Sequence, residues 1–395
     1  MFERIHLQHL TTRLKEPRQF IQVILGPRQV GKTTLVHQLI DKLKMQSHFV
    51  SADAVGATNA TWLRQQWETV RLKQTMGGNK EVLLVIDEIQ KINNWSETVK
   101  ALWDEDTKQQ KEVKVILLGS SRMMLQMGLT ESLAGRFETT FMTHWSYAEM
   151  HAAFGWTPEQ FVWFGGYPGS ATLINDELRW KNYVQTALIE TSVSKDILMM
   201  TRIDKPALLK KLFELGCIYS GQIISYTKIL GQLQDAGNTT TLAHYLHLLN
   251  ESGLLTGIEK YAGTVLRKRS SSPKFQVYNT ALISSQRTET FSEILQQPKQ
   301  WGRMVESAIG AHLINTSITR NFSVYYWREG NHEVDFVIEK AGKLIGIEVK
   351  SSEASVTKGM DAFQKKYNPT KVLLIGKGGF SWEDFLKMDP NSLFL

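Results

Sequence analysis

Residues Gly26–Thr33 read GPRQVGKT, which fits the pattern G-x-x-x-x-G-K-T at every fixed position. The apolar run Phe20–Leu25 before this segment predicts a buried strand, and the run Thr34–Lys44 after it predicts an amphipathic helix. A strand, a glycine loop and a helix N-terminus together point backbone N–H groups and the positive end of the helix dipole at a phosphate. The segment therefore predicts a nucleotide site, and the simpler alternative is a glycine turn with no ligand.

A second predicted part of this site is the run Val82–Glu88, in which five apolar residues precede two acids. Ligands of parallel sheets bind beyond the carboxyl ends of the strands, so we expect Asp87 in the Mg²⁺ shell and Glu88 beside the attacking water. An acidic pair that caps a helix is the alternative. Lys32 is expected to reach the β- and γ-phosphates, and Thr33 to coordinate Mg²⁺. The predicted ATP-binding residues are Gly26, Pro27, Arg28, Gln29, Val30, Gly31, Lys32, Thr33, Thr34 and Asp87.

Two further residues are candidates for contact with the γ-phosphate. Ser120 follows the predicted strand Val113–Leu118, where its hydroxyl is placed to sense the phosphate or the water, although small hydroxyl residues also simply form turns. Arg136 lies in the polar segment LAGRFE and is a candidate arginine finger toward a neighbouring subunit, which would require a homo-oligomer. A surface ion pair is the equal alternative for Arg136.

The order of these motifs resembles the bacterial and archaeal AAA-type ATPases that carry a C-terminal nuclease-like domain. The matching segments are GPRQVGKT, VIDEIQ, LLGSS, SLAGRF, FGGYP and SKDI. The sequence departs from the family at Thr143–Glu149, where the family has a proline-leucine-serine run. The resemblance implies an α/β fold with a P-loop ATPase core (residues 1–150), a helical lid with a winged helix (151–285) and a restriction-endonuclease-like α/β domain (286–395).

The middle of the chain has the pattern of a winged helix. Helices are expected at 208–220, 223–233 and 239–251, followed by a strand from Gly253, and the third helix should bury Leu242, Tyr245, Leu246 and Leu249. The predicted wing carries the basic residues Arg267, Lys268, Arg269 and Lys274. A basic wing suits a DNA backbone without sequence specificity, and a protein-docking module is the alternative.

Near the C-terminus, two runs of alternating residues predict a β-hairpin. If Ala341-Gly342 is a two-residue loop, Lys340 pairs with Lys343, and counting back places Asp335 opposite Glu348. Two opposed carboxylates repel each other unless a cation lies between them, which favours Mg²⁺. A longer loop would shift this register, and a charged solvent-exposed face is the alternative.

Asp335 and the segment Glu348-Val349-Lys350 resemble the D…E-x-K core of restriction-endonuclease-like nucleases. By that resemblance, Glu306 on the preceding helix completes a metal site in which Asp335 and Glu348 are the main Mg²⁺ ligands. Lys350 is expected to position the attacking water or to stabilise the phosphorus centre. The resemblance therefore implies Mg²⁺-dependent cleavage of DNA.

The composition limits the remaining choices. A length of 395 residues predicts more than one domain, and 42% hydrophobic with 22% charged residues is typical of a folded, soluble protein. The chain has one cysteine, Cys217, which rules out a disulfide framework and favours a reducing cytoplasm. Its N-terminus is polar and none of its apolar runs is long enough to cross a membrane, so we expect no membrane span. The net charge of +7 favours a polyanionic partner. We expect an ATP-hydrolysing, DNA-binding protein with a Mg²⁺-dependent nuclease-like domain, or alternatively a regulatory or scaffold ATPase that binds DNA or a protein without cleavage.

Overall fold

The computed structural model describes residues 2–54, 59–78, 81–119, 129, 132–198, 203–233, 238–262, 271–350 and 358–395. The chain divides into two compact units, Met1–Met142 and Thr143–Leu395. The expected boundary at residue 285 therefore lies inside the second unit. In the described part of the chain, none of the helices has the length and apolar character needed to cross a membrane.

The first unit is an α/β unit built on a parallel sheet. Its helices are α1 (Ile5–Lys15), α2 (Lys32–Leu43), α3 (Ala60–Gly77) and α4 (Trp95–Lys108), with short 3-10 turns at Ala52–Ala54 and Ile89–Lys91. Its strands are β1 (Ile21–Leu25), β2 (Ser47–Ser51), β3 (Glu81–Asp87), β4 (Glu112–Gly119) and β5 (Phe137–Phe141). They lie in the order β2-β3-β4-β1-β5, and each neighbouring pair is parallel.

Strand β1 is buried along its whole length because helices cover both faces of the sheet. Ile21, Val23 and Leu25 contribute to the core formed with α3 and α4, whereas Ile24 contributes to the core formed with α1 and α2. Since all strands run in one direction, the glycine loop after β1 and the acids at the end of β3 lie at the same edge of the sheet.

The second unit contains the remaining helices and strands. Its helices are α5 (Tyr147–Phe154), α6 (Pro158–Phe164), α7 (Glu177–Tyr183), α8 (Pro206–Ile218), α9 (Tyr226–Leu230), α10 (Thr239–Glu251), α11 (Ala281–Ser284), α12 (Phe291–Leu295), α13 (Pro298–Arg320), α14 (Lys358–Tyr367) and α15 (Trp382–Lys387). A π-helix spans Val184–Ile197, and 3-10 turns span Pro168–Leu173 and Pro390–Phe394. Its strands are β6 (Leu255–Lys260), β7 (Lys274–Val277), β8 (Ser323–Glu329), β9 (His332–Lys340), β10 (Lys343–Lys350) and β11 (Lys371–Gly376).

The strands expected to form the wing belong to the C-terminal sheet. Strands β6 and β7 pair in antiparallel fashion, and β6 also pairs with β8 in parallel, so the sheet order is β11-β10-β9-β8-β6-β7. The helix α10 before them buries the four residues that the sequence predicted to point inward. The helix-strand-strand order is therefore present, but the two strands form an edge of a larger sheet.

The predicted register of the β9–β10 hairpin is confirmed. Lys340 pairs with Lys343, and the ladder continues at least to Phe336 and Ile347, so the next position places Asp335 opposite Glu348. The loop residues Ala341 and Gly342 have φ angles of 49° and 79°. Positive φ at both positions is the geometry of a type I′ turn, which fits the twist of a two-residue hairpin.

Candidate functional site

The glycine loop of the first unit is folded around the side chain of Lys32. The Lys32 Nζ donates hydrogen bonds to the carbonyl oxygens of Gly26 and Pro27, each at 2.8 Å, and the side chain is buried. These bonds hold the ammonium against its own loop, at the N-terminus of α2. A cation and a helix N-terminus at one place favour binding of a phosphate.

The backbone of the loop requires glycine at Gly26. Its φ is 155°, and a Cβ atom built on it would lie 2.1 Å from the carbonyl oxygen of Met142. A side chain at this position would force the loop away from Met142, the residue that directly follows β5. Gly31, with a φ of 89°, is the residue immediately before α2. Both glycines of the motif thus have geometric reasons for their identity.

Thr33 and Asp87 meet although 54 residues separate them in the sequence. The Thr33 hydroxyl donates a hydrogen bond of 3.1 Å to Asp87 Oδ2, and the N–H of Glu88 donates one of 2.9 Å to Asp87 Oδ1. The first contact brings together two oxygen donors from the start of α2 and the end of β3. Such a pair fits Mg²⁺, which prefers oxygen ligands and is usually bound by only one or two protein side chains.

Glu88 lies next to this pair in an uncommon backbone conformation. Its φ is 54°, and its Oε2 accepts a hydrogen bond of 2.5 Å from the side chain of Gln90. Burial raises the pKa of Glu88, an effect that Lys32 opposes and Asp87 reinforces. The sequence analysis assigned no role to Gln90, although this residue lies in the segment VIDEIQ. Its position two residues after Glu88 was the only feature of the sequence that could have indicated the contact between them.

The two γ-phosphate candidates have different outcomes. Arg136 donates to both carboxylate oxygens of Asp104, from Nε at 2.8 Å and from Nη2 at 3.1 Å, so it forms the ion pair that was the alternative to an arginine finger. This pair lowers the pKa of Asp104 through the hydrogen bond from Arg136. Ser120 lies outside the described residues.

In the second unit, the structure corrects the expected role of Lys274. This residue was predicted to lie on an exposed basic wing, but it is the first residue of β7 and its side chain is 0% exposed. Its Nζ donates to Glu306 Oε1 at 2.8 Å and to the Asp335 carbonyl oxygen at 3.1 Å, and lies 3.5 Å from Asp335 Oδ1. The reason is topological, because β7 packs against α13, which carries Glu306, and the Lys274 side chain also reaches Asp335 of β9.

The other members of the acidic face lie near this lysine. Lys350 Nζ lies 2.8 Å from Glu348 Oε1, and the N–H of Val349 donates to Asp335 Oδ2 at 2.8 Å. Glu348 Oε2 is buried without a hydrogen-bond partner among the described residues. We call Lys274, Glu306, Asp335, Glu348 and Lys350 the acid–lysine cluster.

The pKa values of the cluster reflect burial and mutual charge. Burial raises the pKa of Glu348 to about 7, with a further contribution from Asp335 and an opposing one from Lys350. Burial also raises the pKa of Glu306, although Lys274 opposes it. Burial alone would lower the pKa of Lys274, but the carboxylates of Glu306 and Asp335 outweigh it and raise the pKa. Lys274 is therefore an ammonium at neutral pH.

The predicted Mg²⁺ site of Glu306, Asp335 and Glu348 does not fit this arrangement. Across the described ranges, no three acidic, histidine or cysteine side chains are grouped in a way that could hold a metal ion. The cation between Glu306 and Asp335 is the ammonium of Lys274. The remaining residues of the predicted wing, Arg267, Lys268 and Arg269, lie outside the described residues.

One match to a protein-family model covers most of the first unit. Residues 18–151 match the model of an AAA domain. Residues 156–292 and 301–384 match two domains of unknown function, DUF8612 and DUF4143. The nuclease-like description of the C-terminal part therefore has no counterpart in these matches.

Relatives and solved structures add similarity without a function. An uncharacterized protein of Haemophilus influenzae is 22% identical over 378 residues, covering 91% of this chain and 89% of that protein. Uncharacterized protein MJ1544 of Methanocaldococcus jannaschii is 22% identical over 377 residues, covering 89% and 80%. The Thermotoga maritima RuvB Holliday junction branch migration motor has 18% identity and a TM-score of 0.33, over 64% of this chain and 85% of that one. The Aeropyrum pernix ORC1 protein in complex with DNA has 12% identity and a TM-score of 0.32, over 75% and 95%.

Proposed function

We propose that the chain binds ATP with Mg²⁺ at the edge of the first sheet and hydrolyses it. The contact between Thr33 and Asp87 is the single observation that carries this proposal, because it joins the two oxygen donors at the N-terminus that also holds Lys32. Thr33 and Asp87 would hold the ion, which would neutralise negative charge on the phosphates. The match of residues 18–151 to an AAA domain supports the same function.

The residues of the chain have separate tasks in this proposal. Lys32 exchanges its bonds to the loop carbonyls for bonds to phosphate oxygens, so binding replaces two neutral acceptors by charged ones. Glu88 orients the attacking water and accepts its proton, and Gln90 holds the Glu88 carboxylate in place. The left-handed backbone at Glu88 sets the direction of that carboxylate.

The experiment that tests this proposal compares four proteins for nucleotide binding and turnover. Lys32→Ala should lose ATP binding and hydrolysis, whereas Glu88→Gln should keep binding and lose hydrolysis. Lys42→Ala is a matched control, because Lys42 is on the same helix and pairs with Glu3 at the surface. Normal turnover in Lys32→Ala or Glu88→Gln would refute the ATPase assignment.

For the second unit, we propose DNA binding without cleavage. The net charge of +7, the expected basic residues 267–269 and the exposed His244 and His247 on α10 support a polyanionic partner. The ammonium of Lys274 between Glu306 and Asp335 favours the non-cleaving alternative over a Mg²⁺-dependent nuclease.

A cleavage assay separates the two possibilities. Wild type and Asp335→Ala are incubated with supercoiled, linear and branched DNA, with and without ATP and Mg²⁺. We expect binding and DNA-stimulated ATP hydrolysis with intact DNA in every lane. Cleavage by wild type that disappears in Asp335→Ala would establish the nuclease and refute this proposal.

A further inference from the structure

A cavity of about 570 Å³ lies in the second unit, lined by α8, α13 and the segment 283–289. Its volume falls within the range of about 300–1,000 Å³ that is typical of small-molecule sites. The Ser307 hydroxyl on α13 donates to Ser220 Oγ, two residues after α8, at 3.1 Å, so two walls of the cavity are joined before a ligand enters. Among the described residues that line it, none belongs to the acid–lysine cluster or to the glycine loop.

One part of the lining is apolar. Cys217 and Ile218 of α8, Ile283 of α11 and Met304 of α13 contribute to it. Three of these side chains are buried, whereas Ile218 is 67% exposed. An apolar side chain that is both exposed and part of a cavity loses its contact with water when a ligand covers it, which stabilises the complex. The cavity therefore favours a ligand with an apolar body.

Two guanidinium groups line the same cavity with donors that the chain leaves unused. Arg287 Nη2 donates to Glu289 Oε1 at 3.3 Å and to Gln300 Oε1. Arg287 Nε, in contrast, is buried and has no hydrogen-bond partner among the described residues. Arg303 is exposed, and the described part of the chain gives it no hydrogen bond or ion pair. A guanidinium presents five N–H donors in a planar fork that matches the oxygen atoms of a carboxylate or a phosphate.

The two acids of the lining offer less to a ligand. Glu289 accepts from Arg287 through Oε1 and from the Thr288 hydroxyl through Oε2 at 3.2 Å, so both of its oxygens have donors. Glu214 is exposed on α8 and interacts with the ammonium of Lys210, one turn earlier on that helix. Unused donors therefore outnumber unused acceptors, which favours a ligand that brings negatively charged oxygen atoms.

We propose that this cavity binds a small organic anion. Arg287 and Arg303 hold its carboxylate or phosphate group, and its apolar body covers Ile218. Because the walls are already joined to each other, little conformational freedom is lost when the ligand binds. This inference goes beyond ATP hydrolysis and DNA binding and depends on neither.

The test uses two fluorescent probes that differ in charge. Anilinonaphthalene sulfonate carries an anionic group on an aromatic body, and phenylnaphthylamine is the same body without that group. Fluorescence titration of the full-length chain gives the Kd of each probe for wild type, Arg303→Gln and Ile218→Ser. Arg303→Gln should raise the Kd of the sulfonate by about tenfold, the scale of one lost charge-assisted hydrogen bond, and leave the Kd of phenylnaphthylamine unchanged. Ile218→Ser should raise both Kd values. Both substituted side chains are exposed, so both variants should fold.

Arg320→Gln and Leu178→Ser are the matched controls. Arg320 is on the same helix as Arg303 but pairs with Asp389 at the C-terminal end of that helix, and Leu178 is 71% exposed on α7. Neither residue lines the cavity, so both variants should bind the probes as wild type does. Any probe bound at the glycine loop is common to all five proteins and cancels in the differences. An equal loss of sulfonate binding in Arg303→Gln and Arg320→Gln would show that any surface arginine suffices, which overturns the inference.

Three further results would overturn it. A wild-type protein without saturable binding of the sulfonate contradicts the site itself. Equal Kd values of the two probes for wild type would show that the cavity does not select for negative charge. Loss of the Arg303-dependent sulfonate signal on addition of duplex DNA would show that the lining is part of a nucleic-acid surface and not a small-molecule site.

Discussion

Asp106 offers a quantitative test of how burial determines the strength of an ion pair in the first unit. This residue of α4 has no exposed surface, and its carboxylate accepts hydrogen bonds of 2.7 Å from Trp67 Nε1 and from Arg71 Nε. The Arg71 side chain is itself only 5% exposed. Asp106→Ala would leave an indole N–H and a guanidinium without their buried acceptor.

The loss of stability expected in Asp106→Ala depends on the ion pairs that Arg71 retains. Removal of one partner of a buried ion pair costs about 3–5 kcal/mol. Arg71 retains Glu68 at 2.5 Å and Glu105 at 3.1 Å, whose side chains are 56% and 46% exposed. These residual partners place the expected loss near the lower end, at about 3 kcal/mol. For a unit of this size, this corresponds to a decrease in Tm of roughly 6–12 °C.

Asp104→Ala is the matched control on the same helix. Asp104 pairs with Arg136, but the side chains are 37% and 32% exposed, so the expected cost is about 0.2–1 kcal/mol. Both variants gain the same helix propensity from alanine, which cancels in the comparison. Thermal unfolding of the full chain by far-UV circular dichroism measures both. Equal decreases in Tm would refute the argument that burial sets the cost.

Three other predictions concern single residues. Burial raises the pKa of Cys217 to about 12, so only about one thiol in 10⁴ is ionised at pH 8. Ellman's reagent should therefore react with Cys217 only after denaturation, and rapid labelling of the native protein would contradict this. Gly26→Ala should lower both Tm and nucleotide affinity, because the new Cβ would lie 2.1 Å from the Met142 carbonyl oxygen. Gly78→Ala, whose Cβ would meet nothing within 4 Å, should lower the free energy of unfolding measured by calorimetry by only about 1 kcal/mol. Burial lowers the pKa of His312, so the stability it contributes is present above the unfolded value near 6.5 and is lost as the pH falls below it. The difference in Tm between wild type and His312→Gln should therefore shrink between pH 8 and pH 5, and a constant difference would show that His312 does not titrate in that range.

The contact between Thr33 and Asp87 was predictable from sequence because the parallel direction of the strands determines where their carboxyl ends lie. A glycine loop after one buried strand and acids after another must lie at the same edge of a parallel sheet. The structure confirms this with β4 between β1 and β3 and a 3.1 Å hydrogen bond. No long-range information beyond strand direction was needed.

The hairpin register was predictable for a different reason. A loop of two residues leaves one way to pair the strands, and side chains alternate with a period of two, so the pairing of Lys340 with Lys343 determines every later pair. The unfavoured dipeptide Ala341-Gly342 did not prevent this, since Ala341 adopts a φ of 49°. The register held because one face of the hairpin is buried.

The position of Lys274 was not predictable from local sequence. It ends a run of basic and serine residues, which is typical of an exposed loop, and only the segment after it is apolar. Its burial depends on β7 joining β6 at the sheet edge and on α13 presenting Glu306, which lies 32 residues away. Local charge patterns do not contain that information. The same limit applies to Arg136, whose partner Asp104 lies on α4, 32 residues earlier.

The burial of Lys274 also changes how DNA affinity should be tested. A lysine neutralised by two carboxylates releases no counterion from DNA, so Lys274→Met should leave the salt dependence of DNA binding unchanged. Neutralisation of Arg267, Lys268 and Arg269 together should instead decrease the slope of log K against log salt by about 0.9 for each phosphate contact that is lost. Fluorescence anisotropy with a labelled duplex at several salt concentrations measures both slopes. A smaller slope in Lys274→Met than in wild type would mean that Lys274 is available to phosphate, and the internal ion pair would then not describe the protein in solution.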